Sequence, residues 1–132
     1  MDDLPKVKKV MLIEDDAAIL DVYKTILEKE GFEVQTFSLG MEAMKAIKET
    51  RLSPFDRPDV VLLDLILPDM SGIEVLREVK GNDETRGIKV FIFTNEEGVE
   101  STIPAEIKPD KYVIKANITP TDLAELLKKE LI

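Results

Sequence analysis

Short apolar runs alternate with stretches whose apolar residues recur every three or four positions, and no other feature constrains the fold of this chain as tightly. The run Val7–Ile13 ends in acids and is followed by Ala18, Ile19, Val22, Tyr23, Ile26 and Leu27 at helical spacing, up to Gly31. Glu33–Phe37 alternates like a strand, and Met41, Met44 and Ile47 recur as the face of a second helix. The stretch from Thr50 to Pro58 loses this periodicity and contains two prolines, so it reads as a loop. Val60–Leu63 is apolar at every position, as suits a central strand covered on both faces. Ile73, Leu76 and Val79 mark a third helix, and Val90–Phe93 and Tyr112–Ile114 are the fourth and fifth strands. Thr119 and Pro120 open a last helix with Leu123, Leu126, Leu127 and Leu131 on its apolar face.

Strand and helix alternating in this way predict an α/β fold, a doubly wound five-stranded parallel sheet, because parallel neighbours need right-handed crossovers. The weak segment is 95–109, where Gly98, Pro104 and the β-branched Val99, Thr102 and Ile103 disfavour a helix, so the fourth helix is expected to be short or irregular. A chain of 132 residues with 44% hydrophobic content supports one core, and a single domain over residues 1–132 is expected.

Composition narrows the chemistry. The chain has neither cysteine nor histidine, so a metal site must be built from oxygen ligands, which favours Mg²⁺, Mn²⁺ or Ca²⁺ over Zn²⁺. A net charge of -9 repels phosphates, which argues against direct nucleic-acid binding and against an anionic membrane surface. No apolar run spans a bilayer and the first residues, Met1 to Pro5, lack the layout of a secretion signal, so a cytoplasmic location is expected.

In an open parallel sheet, ligands sit beyond the carboxyl ends of the strands. Glu14 and Asp15 follow the first strand, Asp64 the third, Thr94 the fourth and Lys115 the fifth. Crowded carboxylates resist ionisation unless a cation compensates, and Mg²⁺ suits a few carboxylates together with water and phosphate oxygens. With its charge partly neutralised, Asp64 could act as a nucleophile toward a phosphoryl group, whose oxygens Lys115 and Thr94 could bind. Asp16 reads as an ordinary helix cap.

The segments VMLIEDD, VVLLDLILPDMSG, VFIFTN and YVIK, in this order, resemble the receiver domain of bacterial response regulators, including chemotaxis-type single-domain receivers, over roughly residues 7–131. The resemblance implies a flavodoxin-like strand order 2-1-3-4-5. It implies Asp64 as acceptor of a phosphoryl group from a sensor histidine kinase, a phosphotransfer protein or a small phosphodonor. Asp15 would be a direct Mg²⁺ ligand, Glu14 would act through water, and the Ile66 backbone carbonyl would complete the protein ligands. Thr94 and Tyr112 would be the switch residues, remodelling a surface near strands 4 and 5 for an unknown downstream protein. Such a domain is not an enzyme, although it assists its own phosphorylation and dephosphorylation.

Two positions depart from the pattern. The family usually has a small residue after the threonine and a proline after the lysine, where this chain has Asn95 and Ala116. A cis bond before a non-proline residue costs about 3 kcal/mol, which favours a trans Lys115–Ala116 bond and leaves the placement of the ammonium open. Two other functions stay in view: a Mg²⁺-dependent phosphohydrolase with an aspartyl nucleophile, and a protein-interaction module that uses the same fold without phosphorylation. The first needs an acid at the position of Ile66.

Overall fold

Parallel pairing of β1 (Lys9–Ile13), β2 (Glu33–Phe37), β3 (Val60–Leu63), β4 (Lys89–Thr94) and β5 (Lys111–Ile114) builds one sheet in the order β2-β1-β3-β4-β5. The computed structural model describes residues 7–131, so the N-terminal stretch read above for a secretion signal lies outside the described residues. Four helices cross between or follow the strands: α1 (Ala17–Lys29), α2 (Gly40–Glu49), α3 (Gly72–Lys80) and α4 (Pro120–Glu130). The fold class and strand order are those expected from the pattern.

Side chains alternate across a strand, so each strand feeds two cores. Met11, Ile13, Val61, Leu63, Val90 and Ile92 pack with Ala43 and Ile47 of α2 and Val75, Leu76 and Val79 of α3. Val10, Leu12, Val60, Leu62, Phe91, Phe93 and Val113 face the other way, onto Tyr23 and Leu27 of α1 and Leu123 and Leu127 of α4. This explains why the central strands are apolar at every position rather than at alternate ones.

The helix ends follow local chemistry. Asp16 caps α1, its Oδ1 accepting from Ala18 N at 2.9 Å and Ile19 N at 3.1 Å, and Gly31 takes φ 98° just beyond the helix. Thr119 caps α4 by accepting from Asp122 N at 3.0 Å, with Pro120 in the first turn.

The structure corrects one detail of the pattern, the buried face of α2. Met41 is 64% exposed, and the buried side of α2 is Gly40, Ala43 and Ile47: Ala43 and Ile47 pack on the sheet, and Gly40 lies against the Met70 and Leu67 side chains of the loop after β3. The segment between β4 and β5 is irregular, as expected: two 3-10 turns, Val99–Thr102 and Ala105–Ile107, stand there in place of an α-helix. Gly98 enters the first with φ 73°, and Pro104 separates the two. Val99 and Ile107 still cover the sheet on the side of α2 and α3.

One close approach sets the carboxyl edge of β3. A Cβ added at Gly72 would lie 2.2 Å from the Asp64 carbonyl oxygen and 2.7 Å from Leu65 Cα, both backbone atoms with nowhere to swing. Gly72→Ala should therefore displace the segment after β3 and destabilise the fold by roughly 1–3 kcal/mol, seen as a lower urea midpoint at unchanged slope. An unchanged midpoint would show that the loop yields freely.

Candidate functional site

Register places the site. Ile13 pairs with Leu63, and Leu63 with Ile92, so Glu14 and Asp64, each one residue further on, leave the sheet side by side. Their backbones continue the ladder: Asp64 N donates to Ile13 O at 3.2 Å and Glu14 N to Phe37 O at 3.0 Å. Thr94 is the last residue of β4 and pairs with Ile114, so it belongs to the strand it was expected to follow, and Lys115 leaves β5 one residue later.

Lys115 reaches back over the sheet edge. Its Nζ lies 5.6 Å from the centroid of the Phe93 ring, donates to Asp64 Oδ2 at 2.8 Å, and also donates to Glu14 Oε1. The apolar stem and the ring beneath it keep water away from the pair, which strengthens both contacts. Glu14 is 1% exposed and Asp64 7%, so both acids are buried polar groups that need partners. Glu14 finds a further one in Asp16 N, at 3.0 Å from Oε2, and Asp64 Oδ1 accepts from Ile66 N at 3.2 Å.

Burial pushes the Glu14 carboxyl above its ordinary value; the Lys115 hydrogen bond and the Asp16 amide oppose that shift without cancelling it. For Lys115, burial pulls downward, but the hydrogen bonds to Asp64 and Glu14 outweigh it and the ammonium is held above its ordinary value. Lys115 therefore stays charged wherever Asp64 and Glu14 are ionised beside it.

Asp15 is exposed and completes a cluster: one carboxylate oxygen from each of Glu14, Asp15 and Asp64 lies within 4.8 Å of the others. Three oxygen donors with one lysine among them leave a net negative pocket, a donor set that fits a hard divalent cation such as Mg²⁺. Thr94 is 2% exposed; its Oγ1 accepts from Glu96 N at 3.3 Å, and among the described residues its hydroxyl donates to none. The Ile66 backbone lies in the loop after Asp64, bridged to Ser71, while its side chain is 59% exposed. Tyr112 is half-buried, packing with the α2–α3 side of the core; burial, and then the charge of Glu100, raise its hydroxyl.

Sequence reasoning missed Asp69. Its carboxylate accepts from Gly40 N at 2.8 Å and Met41 N at 2.9 Å, capping α2 from the loop that follows β3. These bonds hold its acid below the ordinary range. The available signal was at the other end: Leu39, at the cap position of α2, has no acceptor in its side chain.

The order 2-1-3-4-5, with acids at its carboxyl edge, places the chain in the flavodoxin-like class of α/β proteins. The model of the response regulator receiver domain family matches residues 10–128, and the chain belongs to that family, the receivers of two-component signalling. It is 30% identical over 109 residues to the DNA-binding response regulator MtrA of Mycolicibacterium paratuberculosis, an alignment covering 82% of this chain and 44% of MtrA. The chain thus spans less than half the length of that curated relative.

Two solved structures are similar. A CheY-like receiver domain protein from Methanospirillum hungatei JF-1 superposes with a TM-score of 0.79 at 32% identity, covering 96% of this chain and 94% of that one. The phosphorylated cyanobacterial phytochrome response regulator RcpA superposes with a TM-score of 0.77 at 28% identity, covering 95% and 91%.

Removing the Lys115 ammonium should expose the cost of the two acids. In Lys115→Met, Glu14 should titrate still higher than in the parent, read by NMR of its carboxyl carbon. A folded state that holds a proton more tightly than the unfolded chain loses stability as pH rises, beginning near the ordinary value of 4.5 and continuing to the raised folded value. The variant should therefore show a larger loss on that limb than the parent; equal profiles would mean that Lys115 does not compensate Glu14.

Proposed function

We propose that this receiver domain is a phosphorylation-dependent switch in which Asp64 accepts a phosphoryl group from a sensor histidine kinase, a phosphotransfer protein or a small phosphodonor. The observation that carries the reading is Lys115 Nζ at 2.8 Å from Asp64 Oδ2, with the Glu14 and Asp15 carboxylates beside it. An Asp64 oxygen attacks phosphorus and the donor's bond to phosphorus breaks, the electron pair leaving with the donor. Lys115 then binds one phosphoryl oxygen, and the Thr94 hydroxyl, free to donate, binds another.

Glu14, Asp15, Asp64 and the Ile66 carbonyl would hold Mg²⁺, which when bound offsets the repulsion between carboxylates and phosphoryl oxygens. Drawing Thr94 toward the phosphoryl group changes the end of β4, and Tyr112 on the neighbouring strand follows. Tyr112 lines a shallow cavity of about 400 Å³ together with Glu100, Ile103 and Pro104, where the two 3-10 turns stand, and a downstream protein would read the change there.

The chain's own acidity, with a net charge of -9, supports protein rather than nucleic-acid partners, and among the described residues no helix is long and apolar enough to cross a membrane. We place the protein in the cytoplasm, as a phosphoacceptor that assists its own phosphorylation and dephosphorylation rather than an enzyme with a separate substrate. The phosphohydrolase alternative is disfavoured by Ile66, which offers no acid for a leaving group.

Incubation with acetyl phosphate and Mg²⁺ should add one phosphoryl group at Asp64, located by mass spectrometry. Asp64→Ala should give background labelling, and chelating the metal should slow labelling of the parent by roughly a hundredfold or more. A parent chain that stays unlabelled, with amide spectra unmoved by Mg²⁺ and beryllofluoride, would instead support an interaction module that works without phosphorylation.

A further inference from the structure

The two positions at which the chain departs from the receiver pattern touch each other. Asn95 Oδ1 accepts a hydrogen bond from Ala116 N at 2.9 Å. Asn95 follows Thr94 at the end of β4, and Ala116 lies in the 3-10 turn Lys115–Asn117 that follows β5. The bond therefore ties the two strand ends together at the point where Lys115 leaves the sheet.

Each partner is chemically particular. A proline at 116 would bring no N–H, and a small aliphatic side chain at 95 would bring no acceptor. The bond exists only because both departures are present. The Lys115–Ala116 peptide is trans, since the described residues contain no cis bond, and with no proline ring at 116 the orientation of that peptide plane, set by ψ of Lys115, is free to vary unless something else fixes it. The backbone also receives Ile118 N onto Lys115 O at 3.4 Å, a long contact, so the Asn95 bond is the shorter of the two restraints on the turn.

We propose that Asn95 is a positioning residue for Lys115. By holding Ala116 N it fixes the direction in which the chain turns after β5, and so sends the Lys115 stem across Phe93 to Asp64 and Glu14. Both Asn95 and Ala116 are exposed, so the bond contributes little to the core and acts on the aim of one side chain. The proposal depends on the phosphoacceptor reading for the consequence of that aim, although the bond itself does not.

The test reads Lys115 directly. Its side chain is 11% exposed, so an amine-acetylating reagent should modify it slowly in the parent, with exposed Lys24 as an internal reference. In Asn95→Ala, modification of Lys115 should quicken by roughly three- to tenfold while Lys24 is unchanged, and Asn95→Asp, which keeps the acceptor, should restore the parental rate. Labelling of Asp64 by acetyl phosphate should slow by a similar factor in Asn95→Ala, and the slowing should vanish in a Lys115→Met background, because Asn95 acts through the lysine.

Unchanged Lys115 reactivity in Asn95→Ala, or an equal slowing in both backgrounds, overturns the proposal. A parent chain that never labels at Asp64 defeats the functional reading instead, and the reactivity of Lys115 still decides the role of Asn95.

Discussion

Parallel hydrogen bonding leaves a sheet no choice about where its strands finish: every carboxyl end lies at the same edge. Here β1 and β3 are in register to their last residues, so the acids that follow them are neighbours before any side-chain interaction is considered. β5 runs beyond the level of Asp64, and a lysine there must reach back. Lysine's long apolar stem can cross an aromatic ring and still deliver a charge, which a shorter or branched cation would not do as well. The site follows from the register together with the reach of each side chain.

Bringing Glu14 and Asp64 together out of water is unfavourable, and the surroundings only partly offset it. Glu14 keeps a raised carboxyl although Lys115 and the Asp16 amide both stabilise its ionised form. Lys115 is held in its charged form by the same two acids that would otherwise repel each other. One ammonium between two buried carboxylates, with a third carboxylate exposed beside them, leaves an excess of negative charge. That excess creates the attraction for a cation, and it keeps the folded state poised rather than electrostatically satisfied.

Much of this was legible from local chemistry. The apolar runs of Val60–Leu63 and Val90–Phe93 read as strands and are strands, and the caps Asp16 and Thr119 stand where their side chains dictate. What was not legible depends on contacts between distant residues. Met41 looks like core by its spacing, yet it is Ala43 that packs on the sheet. The segment after β4 announced a defect through Gly98 and Pro104 but not that two 3-10 turns would replace the helix. Asn95 and Ala116 stood out singly as departures, and only the folded chain makes them hydrogen-bonded partners.

Asp69 extends the same lesson to the loop after β3. Leu39 cannot cap α2, so the first amides of that helix depend on a carboxylate located only five residues beyond Asp64. The loop is closed by Gly72 N on Leu65 O at 2.8 Å and by the bridge between Ile66 and Ser71, with Gly72 packed against the Asp64 carbonyl. The loop that leads from Asp64 to α3 is thus tied to itself and, through Asp69, to the start of α2. On the other side, Thr94 and Asn95 join the same site to β5 through Ala116. Contacts thus run from the neighbourhood of the buried aspartate to α2 on one side and to the end of β5 on the other, through one carboxylate cap and one side-chain amide that no strand or helix pattern would reveal.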